Sequence, residues 1–251
     1  MTPTVPARTT PAYRRLSVEE RRRQLLGAAL SLFAHRAPDE VSLDEVAVAA
    51  GVSRPLVYRY FPGGRQQLYE AALRSAADTL TLCFAEPAAG PPTERVSRVL
   101  DRYLGFVDEH DAGFSALLRG GSVVATSRTT TIVDGVRRAA AEQILLHLRD
   151  GAPDGLPPGP RLRMMVRTWI AAVEAASLIW LDEGKQPPPA ELRDWLVDHL
   201  IALLVATAAT DRETAAVVRA LLRLERADGA AARLASRVIP AAGGDWVTLA
   251  P

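Results

Sequence analysis

SLDEVAVAAGVSRPLVYRYF, residues 42 to 61, decides the fold, because its caps and its glycine cut it into two short helices joined by a tight turn. Ser42 followed by Glu45 is a capping box: the serine hydroxyl accepts from an early helical N–H, and the glutamate returns to the serine N–H. A helix is therefore predicted from about Leu43. Leu43, Val46, Ala47 and Ala50 recur at helical spacing and lay one apolar stripe along it, which needs a partner. Gly51 stands where that helix has to end in a left-handed residue, a conformation that glycine takes without steric cost. Ser53 offers a second N-cap, and Pro55 is tolerated in a first turn, where its missing N–H would be unpaired in any case. The second helix is predicted over Arg54 to Tyr60, with Val52, Leu56 or Val57, and Phe61 turned to the core. Arg54, Pro55, Tyr58, Arg59 and Tyr60 are left on or near the outer face. Two short helices with such a turn, the second presenting Arg, Tyr and small residues, have the geometry that fits a DNA major groove. Any tight helical hairpin places glycine at its turn, so the whole string carries the reading and Gly51 alone does not.

The run resembles the N-terminal domain of the TetR family of transcriptional regulators, whose motif has an Ala-Gly-Val-Ser turn followed by an aromatic pair and Phe. Those positions are Ala50, Gly51, Val52, Ser53, Tyr58, Tyr60 and Phe61 here. The resemblance covers roughly Ser17 to Ala72. It implies an all-α protein with a three-helix DNA-binding head that carries the helix-turn-helix, and a helical ligand-binding and dimerisation body. Two departures stand out. Family members usually place Lys three residues after the Phe, where it reaches a phosphate, whereas Phe61-Pro62-Gly63-Gly64-Arg65 puts Arg one position later. The two glycines can absorb the extra residue in turn geometries closed to other residues, and Arg is an adequate phosphate donor. Tyr60 stands where His is common, and both can donate to a phosphate.

With 251 residues, 48% hydrophobic and 24% charged, the chain has the composition of a soluble globular protein of one or two domains. The net charge is only +1, but residues 1 to 75 hold eleven Arg against seven Asp and Glu, a net +4, and the remainder is −3. That asymmetry suits a DNA-facing head on a nearly neutral body. Arg8, Arg14, Arg15, Arg21, Arg22 and Arg23 crowd the start, and such a basic arm can lie along a DNA backbone or enter a minor groove. A solvated tail is the competing reading for Arg8. Cys83 is the single cysteine, so no intrachain disulfide framework exists and a reducing compartment is expected. Residues 2 to 10 are polar and Pro-containing, without a secretory signal. Met164 to Leu181 has membrane length, but its Arg167, Glu174 and many small residues point to a buried helix. A cytoplasmic protein with no membrane partner is expected.

Helical patterns continue along the chain. Ser17 and Glu20 form another capping box, opening a helix with Leu25, Ala29, Leu32 and Phe33 on one face and ending at Arg36-Ala37-Pro38. A connector helix is predicted from about Arg65 to Phe84, then helices over Thr93 to His110 and Thr130 to Arg149. Asp111 to Thr126 is ambiguous, a short helix interrupted by Gly120-Gly121. Gly151 to Pro160 is a loop. Arg161 to Gly184 is apolar nearly all round and is expected to be buried on more than one side. Trp169, Val173, Ala176 and Trp180 share one face, and Ala171, Ala172, Ala175 and Ser177 allow a neighbour to approach closely. Ala190 to Ala209 follows with Leu192, Leu196, Leu200, Leu203 and Leu204. Monomer core competes with a dimer interface as the reading of this pair, and a small body has few interior places for both. The resemblance implies that they pair across a twofold axis, so a homodimer through 161–184 and 190–209 is expected. Thr210 to Leu224 can add a helix. The expected organisation is a disordered basic arm (1–16), a helix-turn-helix domain (17–62), a ligand-binding and dimerisation domain (63–225) and a flexible tail (226–251).

No constellation suits catalysis. His35, His110, His147 and His199 are scattered, no second cysteine completes a zinc site, and Gly63-Gly64, Gly120-Gly121 and Gly243-Gly244 do not continue into a phosphate-binding signature. No enzyme activity, cofactor or metal is expected. The expected function is a sequence-specific DNA-binding regulator, a ligand-released repressor acting on a palindromic double-stranded operator. A non-specific architectural DNA binder and a helical protein-interaction module are the alternatives. Arg54 is assigned to a base edge, because Arg reads guanine O6 and N7 bidentately, and Pro55 to a thymine methyl. Ser42, Tyr58, Tyr60 and Arg65 are assigned to phosphates, with Ser53 and Arg59 completing the DNA set. The resemblance implies a pocket for a small apolar or amphipathic effector. Its candidate lining is Phe84, Tyr103, Phe106, Phe114, Leu117 and Trp169, with Glu174 as polar anchor, since a carboxylate amid apolar neighbours must be paired or protonated.

Overall fold

The computed structural model describes residues 16–120, 128–149 and 158–241, and among them it contains α-helices, one short 3-10 turn and no strand. The head is built from α1 (Val18–Phe33), the 3-10 turn (Pro38–Glu40), α2 (Leu43–Ala49) and α3 (Arg54–Tyr60). Local chemistry sets each boundary. The Ser17 hydroxyl accepts from Glu20 N at 3.1 Å while Ser17 N donates to the Glu20 carboxylate at 2.7 Å, closing the capping box that starts α1. Gly51 takes φ 63°, and the turn it makes brings Val52 N to the Ala47 carbonyl at 2.9 Å. Val46, Val57 and Phe61 are fully buried against Leu25, Ala29 and Phe33 of α1. Of the alternatives at the start of the second helix, Val57 faces the core and Leu56 is half-buried.

The connector α4 (Gly64–Leu82) belongs to both halves, packing on α1 at one end and on the body at the other. The body adds α5 (Pro92–Glu109), α6 (Asp111–Gly120), α7 (Arg128–Arg149), α8 (Pro160–Asp182), α9 (Pro189–Ala208) and α10 (Arg212–Leu224). Prolines open α5, α8 and α9, where a missing N–H costs nothing. α6 lies against α1 and α4, α7 bridges α4 and α8, and α5 and α8 both pack on α9. Two indole N–H groups tie the last layer: Trp169 donates to the Leu196 carbonyl at 3.1 Å and Trp180 to the Pro187 carbonyl at 2.7 Å. Lys185, in the left-handed region with φ 64°, reaches Asp108 at 2.6 Å and pins the α8–α9 turn to α5.

Three expectations need correction. Within the stretch expected as a flexible tail, 226–251, Ala230–Ala241 forms an eleventh helix, α11, packed on α9. Its Ala and Arg content is helix-favouring, and Leu234 and Ala231 turn toward the body. Residues 242–251 lie outside the described part, as do the arm through Arg15, residues 121–127 beyond α6 and residues 150–157 of the expected loop. α8 is long and apolar enough to cross a membrane by composition, but it buries only one broad stripe through Leu162, Val166, Trp169, Val173 and Trp180 within the protomer. Its opposite face leaves Met164, Ala171, Ala175 and Ile179 exposed. Ser177 is not among these small outer residues; it is fully buried, its hydroxyl donating to the Val173 carbonyl at 2.8 Å.

Candidate nucleic-acid interface and ligand cavity

Ser42 and Glu45 do more than start α2. Glu45 Oε1 receives Arg36 Nη1 at 2.6 Å, and its other oxygen receives Ser42 N at 2.8 Å and the Ser42 hydroxyl at 2.7 Å. The Arg36 guanidinium first, then the Ser42 backbone and hydroxyl donors, hold the Glu45 carboxyl down to about 2. Its stabilising contribution is complete above the ordinary value of 4.5 and is lost as the pH falls toward about 2. Melting curves across that window should fall more steeply for the native protein than for Glu45→Gln, which carries no titrating group there. Equal slopes would remove Glu45 as the group responsible.

The outer face of α3 presents the residues assigned to DNA. Ser53, Arg54, Pro55, Tyr58 and Arg59 are exposed. Ser53 has the backbone of an N-cap, but its side chain makes no cap hydrogen bond, which leaves the hydroxyl for an outside partner. Arg54 is held in place: its Nε meets Asp44 Oδ1 at 2.6 Å, its Nη2 donates to the Tyr58 hydroxyl at 3.4 Å, and the guanidinium lies 5.5 Å from the Tyr58 ring centre. Tyr60 is half-buried and packs on the head core, so only part of it faces outward. The Ser42 hydroxyl is engaged in the cap. Arg65 donates to the Asp39 carbonyl at 2.6 Å, fastening the start of α4 to the 3-10 turn. The extra loop residue is taken up chiefly by Gly64, at φ 74°; Gly63 has an ordinary φ of −76°, and a side chain there would crowd Gln67 at 3.1 Å. Sequence reasoning missed Asp44 as the Arg54 partner, and also Gln24, whose amide donates to the Ala50 carbonyl at 2.7 Å and ties α1 to the turn.

The body holds a partly open cavity of about 90 Å³ among α4, α5, α6, α7, α8 and α9. Phe84, Tyr103, Phe114, Trp169 and Glu174 line it as expected. Phe106 does not; it is buried beyond the cavity end, its ring stacked on His110 at 4.7 Å. The Leu117 side chain lies outside the described part. Glu174 is half-buried and paired: Arg137 Nε and Nη2 donate to Oε2 at 3.0 and 2.9 Å. The Tyr103 hydroxyl is buried beside the Ser177 hydroxyl, which is spent on the Val173 carbonyl, and lies within hydrogen-bond distance of no partner among the described residues. Burial drives its pKa far up, opposed by the Ser177 hydroxyl and reinforced by the Glu174 charge, so the phenol stays a neutral donor. Arg95, Arg137 and His147 also line the space and escaped the sequence reading. α6 joins this cavity to the head: Phe114 and Leu118 face the cavity, while Gly113 sits where a side chain would touch Leu30 of α1 at 3.6 Å and Ala76 of α4 at 3.9 Å.

With this geometry in place, two family descriptions match the chain. Residues 25–72 match "Bacterial regulatory proteins, tetR family", and residues 92–203 match "Tetracyclin repressor-like, C-terminal domain". A solved TetR-family transcriptional regulator from Streptomyces coelicolor is 50% identical, with a TM-score of 0.79 over 90% of this chain and 99% of that one. The transcriptional activator FasR of Mycolicibacterium smegmatis is 26% identical over 174 residues, 68% of this chain and 77% of that protein. The regulator LfrR from Mycobacterium smegmatis, solved in complex with proflavine, is 25% identical with a TM-score of 0.52, covering 73% of this chain and 96% of that one.

Proposed function

The chain belongs to the TetR family of DNA-binding transcriptional regulators, and on that premise we propose that it is a homodimeric repressor of a palindromic operator, released when a small apolar or amphipathic effector occupies the body. The observation that carries the DNA half is the presentation of Arg54 on the exposed face of a short α3 whose other face is locked into the core by Val57 and Phe61. In this reading Arg54 contacts a guanine, Pro55 a thymine methyl, and Ser42, Ser53, Tyr58, Arg59, Tyr60 and Arg65 lie along the phosphates. Two heads related by a twofold axis read half-sites about one helical turn apart or somewhat more. The effector half rests on the body cavity and on α6, which faces the cavity and the head at once. An occupant that displaces Phe114 or Leu118 moves the helix on which Leu30 and Ala76 rest. LfrR, crystallised with proflavine, supports a body that takes a small ligand.

Selection of bound fragments from random DNA by the purified protein tests the reading. A recovered palindrome supports a specific regulator; binding that follows salt alone, with no preferred site, means an architectural binder. No DNA affinity at low salt leaves a protein-interaction module. Arg54→Ala should relax the preference at one base position of each half-site, at a cost of about 1–3 kcal/mol there. Uniform weakening on all sequences would make Arg54 a phosphate contact instead.

A further inference from the structure

A second hollow of about 570 Å³ lies beyond the inner cavity, bounded by α9, α10, α11 and the start of α5. Its lining is almost wholly aliphatic, with Ile201, Val218, Leu221 and Leu234 on its walls. One rim is sealed by Thr93, whose N and hydroxyl donate to the two Glu225 oxygens at 2.6 and 2.7 Å. The two hollows are neighbours in the strict sense that Pro92, Val96, Leu148 and Leu200 line both. The dividing wall is thus a single layer of side chains, and Val96 within it is only half-buried.

Size and chemistry separate the two compartments. The inner cavity, at about 90 Å³, falls well below the roughly 300–1,000 Å³ usual for a bound small molecule, while the pair together lies inside that range. The inner part holds the polar groups: the unpartnered Tyr103 hydroxyl, with the Arg137–Glu174 pair on the same lining. The outer part offers a long apolar surface. A hydrogen-bonding head followed by an unbranched tail matches that order of environments.

We propose that the two hollows form one binding site divided by a movable wall, and that its ligand is a long-chain acyl compound. The acyl oxygen accepts from the Tyr103 hydroxyl, and the tail passes Val96 and Leu200 to lie between α9, α10 and α11. Helix α11 is then the outer wall of the tail channel. This rests on the reading of the body as an effector-binding unit and names the class of effector.

Octanoate and palmitate, each kept below its micelle concentration, are the probes. Titration calorimetry on the full-length protein should show palmitate binding more tightly, by about four-fold for each methylene that enters the outer hollow. Ala231→Phe, which fills the outer hollow from α11, should remove that gain and leave octanoate unchanged, because Ala231 lines the outer hollow and not the inner one. Tyr103→Phe should weaken both acids alike. Equal affinity of the two acids for the native protein, or the same palmitate gain in Ala231→Phe, overturns the divided site, as does failure of both acids to bind. Operator binding by the ligand-free protein, measured alongside, reports separately on the DNA-regulator reading, which survives any of these outcomes if a preferred site is recovered.

Discussion

Ala175→Arg is expected to yield a folded, helical monomer that has lost most of its grip on operator DNA. Ala175 lies on the outer face of α8 beside Ala171, between the exposed Met164 and Ile179, and the adjoining α9 exposes Trp195 and Val205. Large apolar side chains left open on two consecutive helices mark a surface that another molecule covers, and the alanines let a second helix come close. In a twofold arrangement each new arginine meets its own copy near the axis, and like charges so placed cost several kcal/mol. The protomer loses little, because the Ala175 side chain is exposed in it. Separating two linked heads removes their avidity, about 10²–10⁴ in apparent affinity. Sedimentation and operator titration read both effects. A variant that remains dimeric, with unchanged operator affinity, would place the interface elsewhere.

Phe61→Ala should unfold the head and spare the body. The ring is fully buried, directly after α3, and the Arg22 guanidinium lies over it at 5.2 Å from its centre. Truncating a buried Phe to Ala costs about 3–5 kcal/mol, a large part of the ~5–15 kcal/mol that holds a typical domain. The head has few other large side chains to compensate. Operator binding should vanish while the dimer persists, and amide exchange should accelerate across 17–62 but not in α8 and α9. Arg22→Gln removes only the cation contact, worth about 0.5–1 kcal/mol, and should leave a folded head. Unchanged protection of the head amides in Phe61→Ala would show that this core tolerates the loss.

The head was legible almost residue by residue because its boundaries are set locally. Ser42, Glu45, Gly51 and Pro55 act on neighbours within one turn, and α2 and α3 start where those residues place them. The body was legible only as a set of helices. Tyr103, Trp169 and Glu174 are found together because they are large or charged on apolar faces, whereas Arg137 and Arg95 look like ordinary surface arginines until α7 and α5 are packed. Phe106 shares the apolar side of α5 with Tyr103, yet a few ångströms of helical rise carry it past the cavity to His110. Helix α11 was hidden by composition: alanine and arginine look like linker material unless the Leu234 face is matched to a groove on α9. The Asp44–Arg54 pair depends on the angle between α2 and α3, which no spacing rule supplies.

That pair also divides the work of binding in time. Arg54 carries its own counter-charge in the free head, so its field at a distance is largely cancelled by Asp44. Arg59 and Arg65 form no ion pair with a carboxylate among the described residues, and on the proposed reading they supply the attraction that draws the head toward any duplex. Encounter is thus blind to sequence. On the proposed reading Arg54 leaves Asp44 after arrival, and a guanine in reach gives it a replacement partner where a wrong base does not. The discrimination therefore appears in how long a complex lasts, and removing the pair together, Arg54→Ala with Asp44→Asn, should shorten residence on the operator while leaving the association rate nearly unchanged.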